Sequence, residues 1–423
     1  MSEPSGLIGR RIQSLLAVRV AEESVIALHG PRSVGKSTVL RALAESRGVE
    51  VIDLDDLGTR EAVVGNPSLL LAGHAPLCID EYQRVPDVLD VIKSRLNREG
   101  GQPGLAVITG STRQDALPRS AQALTGRLHV MTIWPLSQGE LAGVHEHLLD
   151  ALRRQPDEVA GRGGASTTAR SEYVSRVCAG GFPLAVRRSA VARDRWFRDY
   201  IRQSIERDAA ELAALRQRQA LGALLAYCAG QTGQVLNIAK AADAVGVERR
   251  TAESYLRLLE DLFLVVRLPA WGKTLRARAT SRPKVHVVDS GLAAYLQRLR
   301  PQRLEGLDPA ALTEFGGLLE TFVVGEIRKQ ASWIDEDVLL GHWRTSDGSE
   351  VDLVAEFGDG AVVAFEVKAS ERAVGADFAG LRHLRDVVGS RFAAGVVLTT
   401  GSRSYTYEDG LHVLPIDRLW QPN

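Results

Sequence analysis

Residues 30–37, with the sequence GPRSVGKS, have the spacing G-x-x-x-x-G-K-[ST]. An apolar run at residues 25–28 precedes them and apolar residues at helical spacing follow, so the pattern predicts a strand, a loop and a helix. Such a loop presents backbone N–H groups at a helix N-terminus, where unpaired donors and the helix dipole favour an anion. Lys36 can reach the β- and γ-phosphates of a nucleoside triphosphate, and the Ser37 hydroxyl can bind Mg²⁺. The residues predicted to contact the nucleotide are Gly30, Pro31, Arg32, Ser33, Val34, Gly35, Lys36, Ser37 and Thr38.

A glycine-containing turn could match this spacing by chance. Lysine is scarce in this chain, with seven among the 52 Lys and Arg residues, so a lysine at the required position is informative. Together with the flanking strand and helix patterns, it favours phosphate binding over a simple turn.

Two carboxylates end a second apolar run, APLCIDE at residues 75–81. Acidic residues after a strand are commonly solvated turn residues. Downstream of a phosphate-binding loop such as residues 30–37, called the P-loop below, they predict a second part of the same site. We expect Asp80 to hold the Mg²⁺ shell and Glu81 to polarise the attacking water.

Further candidates follow the next predicted strand, LAVIT at residues 105–109. Ser111 is placed to reach the γ-phosphate or the attacking water, and a helix-capping role is an equal alternative. Arg113 and Arg127 are candidates for a cation that stabilises charge in the transition state.

The composition, 45% hydrophobic and 25% charged, is typical of a globular protein, and the length of 423 residues predicts about three domains. The formal net charge is zero, which gives no overall attraction to nucleic acid or to a membrane surface. Cys78, Cys178 and Cys228 are odd in number and lack metal-ligand spacing, so reduced thiols are expected. No apolar run reaches the ~18 residues of a membrane span, and the N-terminal residues lack a signal-peptide core, so we expect a cytoplasmic protein without membrane contact.

Alternating strand and helix patterns near the N-terminus predict a parallel sheet covered on both faces. A helix is expected within residues 7–22 and a further strand at 49–54. Residues 155–171 are small, polar and Gly-rich, which predicts a loop, and residues 191–220 are highly charged at helical spacing.

Residues 221–268 have the pattern helix, glycine turn, amphipathic helix and strand, which is typical of a winged helix-turn-helix. The second helix, ERRTAESYLRLLED at 248–261, has mixed charge, so it fits either DNA binding or a structural or partner-docking role. The stretch at 267–284 contains six basic residues, a tryptophan and no acid, which suits binding to a phosphate backbone.

Three runs resemble a known family: CIDEYQRVP at 78–86, VITGST at 107–112 and LTGRLHVMTIWPLSQGEL at 124–141. They are similar to a widespread bacterial and archaeal family of AAA-type ATP-binding proteins, and the likeness covers nearly the whole chain. It implies an N-terminal ATPase domain joined to a C-terminal domain of unassigned function. In related signal-transducing ATPases a GxP motif in the helical lid places a proline near the adenine. The run GGFPLA at 180–185 resembles that motif and implies that Pro183 contacts the nucleotide, with a tight turn between helices as the competing explanation.

The C-terminal part has a helix pattern at 316–330, which carries Glu320, followed by strand patterns at 349–357 and 361–368. Glycines at 358 and 360 predict a hairpin turn between the strands. Strand alternation then places the polar residues of the two strands on one face.

Asp352, Glu366 and Lys368 are therefore expected to converge. A D then E-x-K arrangement after a Glu-bearing helix resembles the restriction-endonuclease-like fold. That resemblance implies that Asp352, Glu366 and Glu320 bind a second Mg²⁺ and that Lys368 orients the water or stabilises charge. A salt-bridged hairpin, in which Lys368 pairs with an acid and no chemistry remains, is the alternative.

We therefore predict an α/β protein with a P-loop AAA-type core at 1–140, a helical lid at 141–215, a winged helix-turn-helix at 216–270 and a nuclease-like domain at 271–423. The predicted function is Mg²⁺-dependent ATP hydrolysis coupled to the last two domains, acting on DNA through residues 267–284. One alternative is a nucleotide-dependent switch that holds ATP or ADP and binds a partner protein or DNA with little turnover. Another is an ATP-gated, Mg²⁺-dependent nuclease.

Overall fold

The structure, a computed structural model, describes residues 7–71, 73–112, 124, 126–161, 164–208, 218–272, 282–306 and 308–421. The chain packs into two compact units. Unit 1 contains residues 1–136, 202–216 and 261–263, and unit 2 contains residues 137–201, 217–260 and 264–423. Most of the predicted lid therefore packs with C-terminal residues.

Unit 1 is built on a five-stranded parallel sheet among its described residues. The strands are β1 Val25–His29, β2 Val51–Asp53, β3 Leu77–Asp80, β4 Ala106–Gly110 and β5 Leu128–Thr132. The helices are α1 Arg11–Arg19, α2 Lys36–Arg47, α3 Leu57–Gly65 and α4 Val88–Glu99, with 3₁₀ turns at Pro67–Leu71 and Tyr82–Arg84. The strand order is β2-β3-β4-β1-β5, so the prediction of a parallel α/β sheet is confirmed.

Burial in unit 1 agrees with the sequence pattern and with the position of β1 inside the sheet. All five residues of β1 are buried, as expected for a strand inside a parallel sheet. Val39, Leu40 and Leu43 of α2 are buried on one side of that helix, which matches the apolar period in the sequence. Because all the strands are parallel, their carboxyl ends lie at one edge of the sheet, where ligand sites of α/β folds form.

The chain from residue 137 onward contains most of the remaining helices. They are α5 Gln138–Ala142, α6 Leu148–Arg154, α7 Pro156–Gly161, α8 Arg170–Ala179, α9 Pro183–Val186, α10 Ala190–Gln203, α11 Arg218–Gly230, α12 Ile238–Val245, α13 Arg249–Asp261, α14 Ser290–Leu296, α15 Pro301–Leu304, α16 Pro309–Ala331 and α17 Ala379–Val388. A π-helical turn lies at Ser204–Asp208, and 3₁₀ turns lie at Gly375–Phe378, Gly389–Arg391 and Ile416–Leu419.

Unit 2 holds two sheets among its described residues. The strands are β6 Gln234–Val235, β7 Val265–Leu268, β8 Lys284–Val287, β9 Val338–Arg344, β10 Glu350–Phe357, β11 Val362–Lys368, β12 Phe392–Thr399, β13 Tyr405–Glu408 and β14 Leu411–Pro415. A small antiparallel sheet has the order β6-β8-β7, and a mixed sheet has the order β13-β14-β12-β11-β10-β9. The predicted hairpin is present as β10 and β11, with Leu353 opposite Phe365.

Two predicted elements differ from the structure. The predicted loop at 155–171 contains helix α7, although residues 164–169 are irregular. The helix predicted at 316–330 starts earlier, at Pro309, because the Asp308 side chain accepts a hydrogen bond from the N–H of Ala311 at 3.1 Å and proline suits the first helical position. Within the described ranges, none of the helices has the length and apolar character needed to cross a bilayer.

Candidate functional site

The P-loop joins the end of β1 to the start of α2. The first helical hydrogen bond runs from the N–H of Val39 to the carbonyl of Gly35 at 3.0 Å, so the N–H groups of residues 36–38 precede the helical ladder. A Cβ at Gly30 would lie 2.1 Å from the main-chain oxygen of Ile133, so only glycine fits there. Gly35 has a φ of 95°, in the left-handed region that glycine adopts without strain. The loop thus has the form of a cradle for an anion.

Lys36 is buried, with 4% of its surface exposed. Its ammonium donates hydrogen bonds to the carbonyls of Gly30 at 3.0 Å and Pro31 at 2.8 Å. Because a buried charge is costly unless it is hydrogen-bonded, these carbonyls hold the ammonium beside the loop. Ser33 has a φ of 62°, an uncommon conformation for a non-glycine residue that costs of order 1–3 kcal/mol and clusters at ligand-binding loops.

Asp80 ends β3 at the same edge of the sheet. Ile79 pairs with Ile108, so Asp80 lies beside Thr109 of β4, whose other neighbour is Leu28 of β1. The hydroxyl of Thr109 donates to Oδ1 of Asp80 and accepts from the N–H that follows Asp80 at 3.2 Å. Thr109 therefore orients the predicted Mg²⁺ ligand, a role that the sequence pattern did not reveal.

Glu81 has a left-handed backbone, with a φ of 54°. Its Oε2 accepts a hydrogen bond from the side-chain amide of Gln83 and lies 3.4 Å from the hydroxyl of Ser111. The amide of Gln83 also donates to that hydroxyl at 3.1 Å. Ser111 therefore contacts the predicted catalytic carboxylate, whereas Gln83 was missed because it lies in the turn after β3.

His29 and Tyr82 form a buried pair beneath these groups. Nε2 of His29 lies 2.9 Å from the Tyr82 hydroxyl, and the two rings stack with centroids 5.8 Å apart. Burial, together with the charge of Lys36, lowers the pKa of His29 to about 4. A Cβ on Gly110 would lie 2.8 Å from the Tyr82 ring, which explains the glycine of the VITGST run.

Arg10, which lies outside the G-x-x-x-x-G-K-[ST] motif, contacts the P-loop. Its guanidinium donates to the carbonyl of Val34 at 2.5 Å and to the carbonyl of Trp134 at 2.7 Å. The two acceptors lie in the P-loop and in the segment after β5. Arg10 therefore ties the P-loop to the neighbouring edge of the sheet.

Arg127 does not lie at this site within the chain. It precedes β5, and the register pairs Leu128 with Val25 at the start of β1, so Arg127 lies at the opposite edge of the sheet from the P-loop. Its guanidinium donates to Oδ1 of Asn97 at 2.7 Å. All strands of this parallel sheet begin at the edge opposite the P-loop. The prediction that Arg127 stabilises charge in the transition state is therefore wrong for the site of its own chain. Arg113 lies outside the described residues.

The GGFPLA run has a structural explanation inside unit 2. A Cβ on Gly180 would lie 2.1 Å from Oδ1 of Asp289, and the N–H of Gly181 donates to Oδ2 of Asp289 at 2.6 Å. Asp289 also caps α14 by accepting from the N–H of Leu292 at 3.0 Å. The glycine pair thus accommodates a buried carboxylate. Pro183 is the first residue of α9, and its contact with nucleotide stays a prediction.

Two of the acids predicted to bind a second Mg²⁺, Glu320 and Asp352, contact a lysine. The ammonium of Lys284, in β8, lies 2.9 Å from a carboxylate oxygen of each of Glu320, Glu350 and Asp352. Lys284 is 2% exposed. Although burial alone would lower the pKa of Lys284, the carboxylates, Asp352 foremost, raise it, so the group is charged. We call Lys284 and these three acids the Lys284 cluster.

Lys368 lies beside this cluster and pairs with a different acid. Its ammonium is 2.7 Å from Oε1 of Glu366 and 3.8 Å from Oδ1 of Asp377. Burial, followed by repulsion from Asp352, raises the pKa of Glu366 to about 8. The pairing of Lys368 with Glu366 matches the salt-bridged hairpin that the sequence allowed.

The predicted second Mg²⁺ site is not formed. In the part of the chain that the structure describes, no group of three or more His, Cys, Asp or Glu side chains is arranged to hold a metal ion. Asp352, Glu366 and Glu320 are close, but Lys284 supplies the positive charge among them. The sequence contained a signal for this lysine, since Lys284 is one of seven and opens the apolar run KVHVV.

The predicted basic surface at 267–284 also needs correction. Lys284 is buried in its cluster, and the guanidinium of Arg267 lies 2.5 Å from Glu260. Trp271 is buried and its ring N–H donates to Glu356 at 2.9 Å. The other basic members of the stretch are the exposed Arg282 and, outside the described residues, Lys273, Arg276 and Arg278.

A groove of about 330 Å³ lies in unit 2 between α12, α13 and the ends of β7 and β8. Its lining includes four exposed arginines: Arg249, Arg257, Arg267 and Arg282. Glu253, also in the lining, pairs with Arg249 at 3.0 Å.

Three family models match successive parts of the chain. An AAA domain matches residues 22–142, a domain of unknown function (DUF8612) matches residues 170–303, and a domain of unknown function (DUF4143) matches residues 315–419.

Relatives with similar sequences are known from several bacteria. Uncharacterized proteins of Mycobacterium tuberculosis and Mycobacterium bovis are each 27% identical over 401 residues, which is 93% of this chain and 80% of the relative. An uncharacterized protein of Haemophilus influenzae is 24% identical over 269 residues, 62% of this chain and 59% of the relative. Among solved structures, a Walker-type ATPase of Pyrococcus abyssi is 15% identical with a TM-score of 0.42, and the match covers 70% of this chain and 97% of that one.

Proposed function

Because the chain belongs to the AAA-type ATPase family that carries a C-terminal domain of unknown function, we propose that it binds ATP with Mg²⁺ at the P-loop and hydrolyses it. The observation that carries the proposal is the meeting of three parts at one sheet edge: the P-loop after β1, Asp80 at the end of β3 and Thr109 near the end of β4.

The residues present suit a nucleotide and its metal. Backbone N–H groups of residues 35–38 and the ammonium of Lys36 would hold the phosphates. The Ser37 hydroxyl and the Asp80 carboxylate are the hard oxygen ligands that Mg²⁺ prefers. When bound, Mg²⁺ neutralises charge that develops on the phosphates.

Glu81 is the candidate to polarise the attacking water. Gln83 and Ser111 hold its carboxylate in one orientation, and its left-handed backbone is the kind of strain that functional sites retain. Its side chain is therefore oriented before the substrate binds, which lowers the cost of reaching a reactive geometry.

The test compares Lys36→Ala and Glu81→Gln with wild type in nucleotide binding and steady-state hydrolysis. Lys36→Ala is expected to abolish binding, whereas Glu81→Gln is expected to bind ATP normally and to stop turnover. Glu61→Gln, an exposed change in α3, is the control and should behave as wild type. Hydrolysis by Glu81→Gln at the wild-type rate would contradict the role of Glu81.

A second candidate function is DNA binding by unit 2. Helix α11, strand β6, helices α12 and α13, and strands β7 and β8 follow one another as in a winged helix, and the sheet order β6-β8-β7 supports that comparison. The arginine-lined groove beside α13 would contact phosphates without reading sequence.

DNA binding is tested by fluorescence anisotropy with duplex and single-stranded DNA over a salt series. If Arg257 and Arg282 contact phosphates, replacing either with Ala should lower the slope of log affinity against log salt by about 0.9 for duplex DNA. Affinity that is independent of salt and of both arginines would exclude this surface. A nucleotide-dependent switch would instead retain ATP or ADP with negligible turnover, with or without DNA.

A further inference from the structure

The Lys284 cluster occupies the place where the endonuclease-like resemblance puts a metal ion. Asp352 on β10 and Glu320 on α16 are the acids that the resemblance assigns to Mg²⁺. Lys284 reaches them from β8, a strand of the other sheet of unit 2. Its three contacts of 2.9 Å are ordinary charge-assisted hydrogen bonds.

Both oxygens of Asp352 already accept hydrogen bonds. Oδ1 of Asp352 accepts from Lys284, and Oδ2 accepts from the N–H of Val367 at 3.0 Å. Oε1 of Glu320 also accepts from Lys284. A divalent cation bound through Asp352 would need one of these engaged oxygens at about 2.0–2.6 Å, and at Oδ1 it would have to displace the buried ammonium of Lys284. The residues therefore do not fit a metal.

We propose that Lys284 takes the place of the metal ion, so that the Lys284 cluster is a fixed ion-pair network that excludes divalent cations and joins β8, β10 and α16. The ammonium supplies the positive charge that lets Glu320 and Asp352 lie together largely away from water, with the partly exposed Glu350 beside them. This inference does not depend on ATP hydrolysis in unit 1. Its consequence is that unit 2 does not act as a Mg²⁺-dependent nuclease through Asp352.

The direct test is Mn²⁺ binding by the full-length protein without nucleotide. Binding is measured by calorimetry or from the electron paramagnetic resonance signal of free Mn²⁺. Wild type and Asp352→Asn are expected to take up Mn²⁺ equally weakly, and the melting temperature of wild type should be the same in Mn²⁺ and in EDTA. Saturable uptake by wild type that Asp352→Asn removes would overturn the proposal.

A gain of binding is expected when the ammonium is removed. Lys284→Ala leaves three acids without their cation, so it should melt at a lower temperature and bind Mn²⁺ at least about tenfold more tightly than wild type. Adding Asp352→Asn should remove that gain. The control is Lys240→Ala, which removes an exposed lysine of α12 and should match wild type in both measurements.

Two results for Lys284→Ala would count against the inference: an unchanged melting temperature, and Mn²⁺ uptake no tighter than that of wild type. If Lys284→Ala does not fold, the comparison of wild type with Asp352→Asn decides, because it does not require the lysine to be changed.

Discussion

Arg10 is expected to set the affinity of the P-loop for nucleotide although it lies outside the motif. Its guanidinium donates two hydrogen bonds to main-chain carbonyls, at 2.5 Å to Val34 and at 2.7 Å to Trp134. Hydrogen bonds to a charged group contribute about 1.5–3 kcal/mol each. Since Arg10 is only half-buried, the lower end applies, and the pair amounts to about 3 kcal/mol.

Arg10→Met keeps the length of the side chain and removes both donors. If the lost ~3 kcal/mol destabilises only the loop conformation that binds nucleotide, the Kd for ADP rises by about 100-fold, since 1.4 kcal/mol corresponds to a tenfold change. If the same free energy is instead lost from the stability of the folded state, the melting temperature of unit 1 drops by about 6–12 °C. Arg10→Lys keeps the charge but lacks the planar fork, so its effect should be intermediate.

Calorimetric titration with ADP and thermal unfolding, both on the full-length chain, distinguish the two routes. Arg47→Met, at the exposed end of α2, is the control for loss of an arginine in this unit. Wild-type Kd and wild-type melting temperature together in Arg10→Met would refute the reasoning, because the bonds would then hold nothing in place.

Three further outcomes follow from the same structure. Thr109→Val removes the hydroxyl that binds Asp80, so ATP hydrolysis should fall by about tenfold while ATP binding is retained, as measured by turnover and titration. His29 has a pKa lowered to about 4 in the folded state, so the unfolded state takes up a proton first as pH falls below 6.5; urea unfolding should show up to about 3 kcal/mol of stability lost between pH 6.5 and 4, and His29→Gln should reduce that loss. Burial raises the pKa of each cysteine thiol, so a thiol reagent at about pH 8 should modify none of them in the folded protein and all of them after unfolding; a fast reaction before unfolding would contradict their burial. The cysteines are Cys78, Cys178 and Cys228.

Features that depend on neighbours in the chain could be predicted from the sequence. The P-loop needs two glycines and a lysine at short spacing after an apolar run, and the parallel sheet follows from alternating strand and helix patterns. Asp80 and Glu81 could be selected because an acid that ends a buried strand lies at the same sheet edge as the P-loop. The β10 and β11 hairpin could also be predicted, because its glycine turn and the alternation of its strands depend only on neighbouring residues in the chain.

Partners that come from distant segments could not be predicted in this way. Thr109 contacts Asp80 only because β4 lies between β1 and β3, and Arg10 reaches Trp134 across 124 residues of sequence. Arg127 was misplaced because β5 runs parallel to β1, so the residue before β5 lies at the edge opposite the P-loop.

Lys284 shows the difference most clearly. The sequence places Lys284 in a basic stretch, but the charge of neighbouring residues says nothing about which acids it contacts. Only the packing of β8 against β10 and α16 brings it to Glu320, Glu350 and Asp352. Local spacing thus determined where a phosphate can bind, whereas tertiary packing decided which cation the acids of unit 2 hold, because a buried charge is stabilised by the groups that surround it in space.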